Sequence, residues 1–442
     1  MTQGPNYSAA YDGNDRNVKI ALLTRMTTQN AGNEALSAEL INFISSNFPR
    51  GHIRGIDRFP HYLEQFTISF CRKFSDNVEE GMDVLAHLLI KRFSPNEEGH
   101  LTSMVTSDNV RLTHDPRELP HILKSIKRRV GFRRNLAKWT PIGRGDFERV
   151  LNTCAWSEIL IWNPAGEIHP TGDREEVFRL LLIVRIAQML GRRTAIINHS
   201  IEVEDAQLRA ILAHVYRSAD LVIVRDSESK RVAFEFGCDQ QRLLESPDLV
   251  FLVGRQRQPA RQSRGIIGLA INGKEAMRGE NEWFQLLSNL VQFGKPIVFL
   301  SNGMNHDIPF VRKFANTFSI EIIHRQPGYW QLRQLYSEME VLISSRLHAA
   351  ILAISAGVAV ISIEPQLFKL TSIFEQMRYP YRTDNLLRAG WSKRVIEKVR
   401  DAFEHREYIT RVNAEIMQTQ IARIHATYAQ LFSLMEDDKL IS

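Results

Sequence analysis

Cysteine is scarce, with 3 among 442 residues, at Cys71, Cys154 and Cys238. They are odd in number, far apart and never in CxxC spacing, which argues against a disulfide framework and against a zinc site. Free thiols fit a reducing, cytoplasmic setting. No stretch approaches ~18 consecutive apolar residues, so no transmembrane helix is expected. The opening seventeen residues, MTQGPNYSAAYDGNDRN, lack an apolar h-region and read as a flexible lead-in rather than a signal peptide. Internal repeats and low-complexity segments are missing too. No His, Cys, Asp or Glu cluster has metal-ligand spacing, so no metal is expected.

What remains is the balance of an ordinary globular chain: 44% hydrophobic and 24% charged residues. The length suggests two domains and can bury large cores without staples. The formal charge of +6 is compatible with an anionic substrate, an anionic membrane surface or nucleic acid, and does not choose among them.

From residue 18 onward, short apolar runs alternate with amphipathic segments. KIALL (19–23) reads as a strand and 33–48 as a helix, with Leu36, Leu40, Ile41 and Ile44 on one stripe. After a strand near 52–56, residues 60–150 read as a helical insertion. Order returns with a strand at 158–162, a helix at 174–190, a strand at 194–200, a helix at 204–217 and a strand at 221–226. Ser227 is the expected N-cap of a helix over 228–236, with Gly237 at its stop. Strands alternating with helices imply a largely parallel sheet.

Residues 254–264, GRQRQPARQSR, form the expected linker. A second alternation follows over 265–390: strands at 266–271, 296–300, 321–323, 341–344 and 358–363, separated by helices. The tail, 391–442, is expected to be helical and to pack across the junction. The fold class is therefore α/β, with an N-terminal domain (18–253) and a C-terminal domain (265–390), both Rossmann-like and facing each other across a cleft.

Ligands of parallel sheets gather at the carboxyl ends of strands, and four polar segments fall there. TRMTTQNAGNEAL (24–36) offers Asn30, Gly32, Asn33 and Glu34 at a helix start, suited to an anion or a sugar. NPAGEIHP (163–170) offers Gly166, Glu167 and His169. VRDSES (224–229) places Arg225 where a guanidinium grips a carboxylate or phosphate. The strongest is ISSRLHAAILAISAGVAVISIEPQLFK (343–369). Ser345, Arg346 and His348 open a small, apolar, packed helix whose dipole favours anions. Glu364 ends the next strand, with Lys369 just beyond. The competing reading of each is a solvated turn or a satisfied helix cap.

The pattern S-x-R-L-H-x-x-I-x-A-x-x-x-G-V-x-V-I-x-I, ending in Lys369, resembles the signature of the polysaccharide pyruvyltransferase family. The N-x-G-N-E-x-L at Asn30–Leu36 resembles that family's first turn, and VRDSES followed by FEFG and SPDLVFLV resembles its central segment. The matches are in order over roughly 18–380. The resemblance implies a fold like that of B-type glycosyltransferases. It also implies transfer of the enolpyruvyl group of phosphoenolpyruvate to two hydroxyls of a sugar as a ketal, with Arg225, Arg346 and His348 facing the donor. Phosphoenolpyruvate serves as donor substrate and no cofactor is implied. A trianionic donor needs several cations in one cleft, and ketal formation needs an acid and a base. His348 is assigned the acid role, with His169 or His199 as a second histidine and Glu364 as a carboxylate. Arg225 and Arg346 clamp the donor, and Lys369 adds charge. Two turns depart from the family: NPAGE stands where many members have a glycine-rich turn, and NHSIEVED where many have glycine and proline.

The tract KSIKRRVGFRRNLAK (124–138) holds seven basic residues. It suits an anionic membrane leaflet carrying lipid-linked sugars, or a solvated helical face. No nucleic-acid recognition motif accompanies it. The expected partners are phosphoenolpyruvate and a glycan or lipid-linked oligosaccharide, met in the cytoplasm or at the inner face of the membrane. Two alternatives stay open: a nucleotide-sugar glycosyltransferase of the same fold, and a non-catalytic sugar-binding partner in polysaccharide assembly.

Overall fold

The computed structural model describes residues 16–25, 30–57, 66–72, 74–93, 144–170, 172–256, 263–276, 280–301, 304–323, 328–364 and 368–436. The basic tract, and most of the linker, lie outside them.

The N-terminal half runs β1 (Lys19–Thr24), α1 (Ala31–Asn47), β2 (His52–Asp57), α2 (Ile68–Cys71), α3 (Val78–Phe93), α4 (Arg144–Trp156), β3 (Ile159–Trp162) and α5 (Arg174–Met189). It continues through β4 (Arg193–His199), α6 (Ala206–Arg217), β5 (Leu221–Val224), α7 (Ser227–Glu235) and β6 (Leu243–Glu245) to a 3₁₀ segment, Leu249–Arg255. The C-terminal half runs β7 (Ile266–Ala270), α8 (Gly273–Ala276), α9 (Glu280–Val291), β8 (Ile297–Leu300), α10 (Met304–Phe318), β9 (Glu321–Ile323), α11 (Tyr329–Ser337) and β10 (Met339–Ser344). Then come α12 (Leu347–Ser355), β11 (Ala359–Glu364), α13 (Lys369–Gln376), β12 (Asp384–Asn385), α14 (Trp391–Glu404) and α15 (Arg406–Glu436).

Each half builds a six-stranded sheet, ordered β2-β1-β3-β4-β5-β6 and β12-β11-β10-β7-β8-β9, with every neighbouring pair parallel. Parallel strands covered on both faces read as unbroken apolar runs: Ile159–Trp162 and Leu221–Val224 are buried throughout. Side chains of β1 alternate between two cores. Ile20 and Leu22 join the one shared with the C-terminal half, while Ala21 and Leu23 join the one that includes α3 and α5. The two sheets differ in winding. The second has the dinucleotide-binding order, whereas the first reverses between β1 and β3, as in flavodoxin-like sheets.

One expectation needs correction. Asp226, not Ser227, caps α7, with its side chain accepting from the Ser229 N–H, because its carboxylate fits the free amides of the first turn; Phe236 and Gly237 (φ +84°) end it. Within the expected helical insertion at 60–150, α3 packs on α5 and α6 through its apolar face (Met82, Leu85, Leu89). The tail does cross the junction. Phe432 of α15 packs on Phe43 of α1 and on its C-cap Phe48, and Leu434 and Met435 carbonyls accept from Arg193 and Arg16.

Candidate functional site

Winding reverses where two adjacent strands send their connections to opposite faces, leaving a crevice at their carboxyl ends. In the first sheet that point lies between β1 and β3. There Asn163 Nδ2 donates to Thr24 Oγ1 at 3.2 Å, tying together the turns that carry Arg25 and Gly166. In the second it lies between β7 and β10, where the Asn272 N–H donates to Ser345 Oγ at 2.7 Å. Both crevices open into one cleft of about 340 Å³.

From the N-terminal half the cleft is lined by Arg25, Asn30, Asn33, Glu167, His169 and Arg225, and by Asp173, Glu176, Val177 and Leu180 along one face of α5. From the C-terminal half come Asn272, Ser345, Arg346, His348, Glu364 and Lys369. Arg225 and Lys369 approach the same spot from opposite halves: a β-carbon placed on Gly166 would lie 3.7 Å from Arg225 Nη2 and 3.8 Å from Lys369 Nζ. Lys369 also donates to the Gly166 carbonyl at 3.4 Å.

Arg225 and Arg346 are held by buried oxygens. Arg225 is 2% exposed; its Nε donates to Ser200 Oγ at 2.8 Å and its Nη1 to Asp248 at 2.8 Å. Asp248, fully buried, also faces His348 Nε2 at 3.5 Å. Burial by itself would raise the Asp248 carboxyl, but His348, Arg225 and the Val250 N–H overcome it and hold it well below the usual carboxylate range. Arg346 donates to Asp307, itself buried. Glu364 accepts from the Thr371 N–H at 2.7 Å, yet burial pushes its carboxyl up to about 7.

Helix starts add to the positive pole. α12 begins at Arg346 without a side-chain cap bond, and α1 begins beside it. A β-carbon on Gly32 would meet His348 Cβ and Nδ1 at 2.4 Å, so only glycine lets the two helices come this close. The uncapped first-turn amides of α12 suit an anion.

Of the residues expected from sequence, Asn30, Asn33, His169, Arg225, Ser345, Arg346, His348, Glu364 and Lys369 all line the cleft. Asn30 spends its side-chain oxygen on capping α1, through the Gly32 and Asn33 amides. Gly32 acts through close approach to His348. Glu34 points elsewhere: its carboxylate accepts from the Tyr329 N–H at the start of α11. His199 is fully buried in the core, bonded to Tyr216 Oη at 2.6 Å, and burial drives its imidazole down to about 3. It does not reach the cleft, because the bulge in β4 at Asn198 (φ +54°) leaves its ring packed toward α6. Arg25, Asp248, Asp307 and the α5 face had not been singled out. Asp248 had a signal, a carboxylate inside the apolar run SPDLVFLV; Asp307, in a polar helix start, had none.

Among the described residues, no group of three or more His, Cys, Asp or Glu is placed to hold a metal. No described helix is long and apolar enough to cross a membrane.

A family model described as polysaccharide pyruvyl transferase matches residues 30–366. Among curated proteins no match is found. Solved structures resemble the chain in fold. HepE from Anabaena, in complex with UDP-glucose, superposes with a TM-score of 0.53 at 10% identity, over 94% of this chain and 99% of that one. UDP-GlcNAc 2-epimerase from Neisseria meningitidis, bound to UDP-GlcNAc, gives 0.51 at 10% identity, over 96% and 100%. A glycosyltransferase from Rickettsia africae gives 0.50 at 8% identity, over 95% and 98%.

Proposed function

Since the chain belongs to the polysaccharide pyruvyl transferase family, we propose that it moves the enolpyruvyl group of phosphoenolpyruvate onto a sugar of a cell-surface polysaccharide or its lipid-linked precursor, forming a ketal. One observation carries this reading: Arg225 from one half and Lys369 from the other meet at Gly166, with Arg346 and two helix starts on the same cleft. A donor bearing a phosphate and a carboxylate fits such a pole. The acceptor works beside it, against the Glu167, Asp173 and Glu176 side of the cleft, in the cytoplasm or at the inner membrane face.

The chemistry balances on groups of this chain. His348 gives a proton to the methylene carbon, and the first sugar hydroxyl adds to the neighbouring carbon, losing its proton to Glu364. The second hydroxyl then displaces phosphate from that carbon, and its proton leaves with the phosphate. The net reaction is donor plus diol to ketal plus phosphate. Asp248 holds His348 in place, as a buried carboxylate orients a catalytic imidazole. Glu364, with its carboxyl near 7, exchanges protons readily at neutral pH.

Incubating the protein with phosphoenolpyruvate and a panel of glycans, and measuring inorganic phosphate, tests the reading. Phosphate release that depends on a glycan supports it; no release with any glycan counts against it. The rival reading, a nucleotide-sugar glycosyltransferase, draws on the UDP-sugars bound in the HepE and epimerase structures, with Glu364 taking a ribose. Thermal stabilisation by UDP-sugars but not by phosphoenolpyruvate would favour that alternative.

A further inference from the structure

Outside the cleft, the group with the least obvious reason to exist is Arg333 of α11. It is 0% exposed. Burying a guanidinium is costly unless it is paired and hydrogen-bonded. Its Nε donates to Ser355 Oγ at 3.0 Å and its Nη2 to the Ser355 carbonyl at 3.2 Å. Ser355 is the last residue of α12, the helix whose first turn carries His348 and whose N-cap is Arg346. A cation forked onto a helix C-terminus satisfies free carbonyls and complements the dipole. It also fixes where that helix sits along its own axis.

The indole of Trp330, on the same helix, lies over the Arg333 guanidinium at 5.1 Å, and Glu39 of α1, 0% exposed and paired with Arg255 at 3.5 Å, adds a more distant attraction. α11 is held in turn from the other half of the molecule. Glu34, also on α1, accepts from the Tyr329 N–H at the start of α11 at 3.2 Å. The ring closes at Gly32, where α1 touches His348. So α1 fixes α11, α11 fixes the far end of α12, and the near end of α12 meets α1 in the cleft.

We infer that Arg333 is a positioning residue: by holding the C-terminus of α12 it sets how far that helix advances, and so where Arg346 and His348 stand in the cleft. It never touches the ligand. Ser355 is seven residues beyond His348, about 10 Å along the axis at a rise of 1.5 Å per residue. The role rests on the proposed donor only for the affinity arm of its test.

The test compares Arg333→Met, Arg333→Lys and Ser355→Ala with a control, Arg185→Lys, which weakens the buried Asp83 pair behind the first sheet. The first readout is the ring NMR signals of His348, assigned by their loss in His348→Gln. Arg333→Met and Ser355→Ala are expected to move those signals. Arg333→Lys moves them less, and the control leaves them in place. The second readout is the Kd for phosphoenolpyruvate, expected to weaken by roughly tenfold or more in Arg333→Met, since small displacements of a site carry penalties of that order. His348 signals that coincide with wild type in all three variants, while melting temperatures fall, would overturn the inference and leave Arg333 a purely stabilising residue. If Arg333→Met does not fold, Arg333→Lys and Ser355→Ala carry the test. Absence of phosphoenolpyruvate binding to the wild-type protein would sink the proposed function while the ring-signal comparison still decides the role of Arg333.

Discussion

Gly32 and His348 touch across the domain junction so closely that a β-carbon on the glycine would sit 2.4 Å from the histidine Cβ. The atom in the way is the root of the side chain, so the ring cannot swing aside. In an open helix, Gly→Ala stabilises by up to ~1 kcal/mol; here the clash decides the sign. Gly32→Ala is expected to stay folded by circular dichroism yet bind phosphoenolpyruvate at least about tenfold more weakly by calorimetric titration, since a small misplacement of a clamped site has that cost. Unchanged affinity would show that the contact is slack.

Asp248 anchors both Arg225 and His348 from full burial. Removing one partner of a buried ion pair leaves an uncompensated charge, costing about 3–5 kcal/mol, so Asp248→Ala should unfold at markedly lower denaturant. Its carboxyl lies below the ordinary range when folded. The native state therefore binds fewer protons than the unfolded one, and this contribution is present above the unfolded pKa and lost as pH falls toward the folded one. Asp248→Asn should flatten the acid limb of the stability curve; an unaltered limb would contradict the assignment.

Glu364 has the opposite sign. Its carboxyl rises from an ordinary 4.5 to about 7 on folding, so between those values the native state holds a proton that the unfolded state has released. Stability falls as pH climbs through that window and the full penalty remains above it. Glu364→Gln should raise the melting temperature at pH 8 relative to wild type and change it little at pH 4. A gain of the same size at both pH values would refute the protonation argument. Pyruvyl transfer should be lost in this variant.

Ala165 adopts φ +55° in the turn before Gly166. A left-handed alanine costs roughly 1–2 kcal/mol. Glycine there relieves that strain but gives back about 0.4–1 kcal/mol of unfolded-state entropy and about 0.8 kcal/mol for a buried methyl. The terms nearly cancel, so Ala165→Gly should melt close to wild type. Ala165→Val, which adds a branched side chain to the same backbone, should cost more than about 2 kcal/mol. Equal melting of the two variants would mean that the turn simply rearranges.

That turn also shows what sequence can and cannot convey. NPAGE lacks the glycine-rich spelling of many relatives, yet Ala165 keeps a backbone that glycine adopts without cost. The strands were legible because parallel, doubly covered strands are continuous apolar runs, as at Ile159–Trp162 and Leu221–Val224. Arg225, Arg346, His348 and Lys369 were legible because charges at the mouths of apolar elements have few other uses. Two kinds of fact were not. His199 ends a buried strand, β4, and only the bulge at Asn198 decides where its ring goes. The pairing of Arg346 with Asp307 joins residues 39 apart through tertiary contact alone, which no local pattern encodes.

Phe43 and Phe48, near the beginning of the chain, complete their packing against Phe432, and Arg16 and Arg193 bond carbonyls of Leu434 and Met435. During synthesis this seam of the N-terminal half is therefore exposed until α15 has left the ribosome. A premature stop just before Phe432 would deprive α1, made long before it, of these partners.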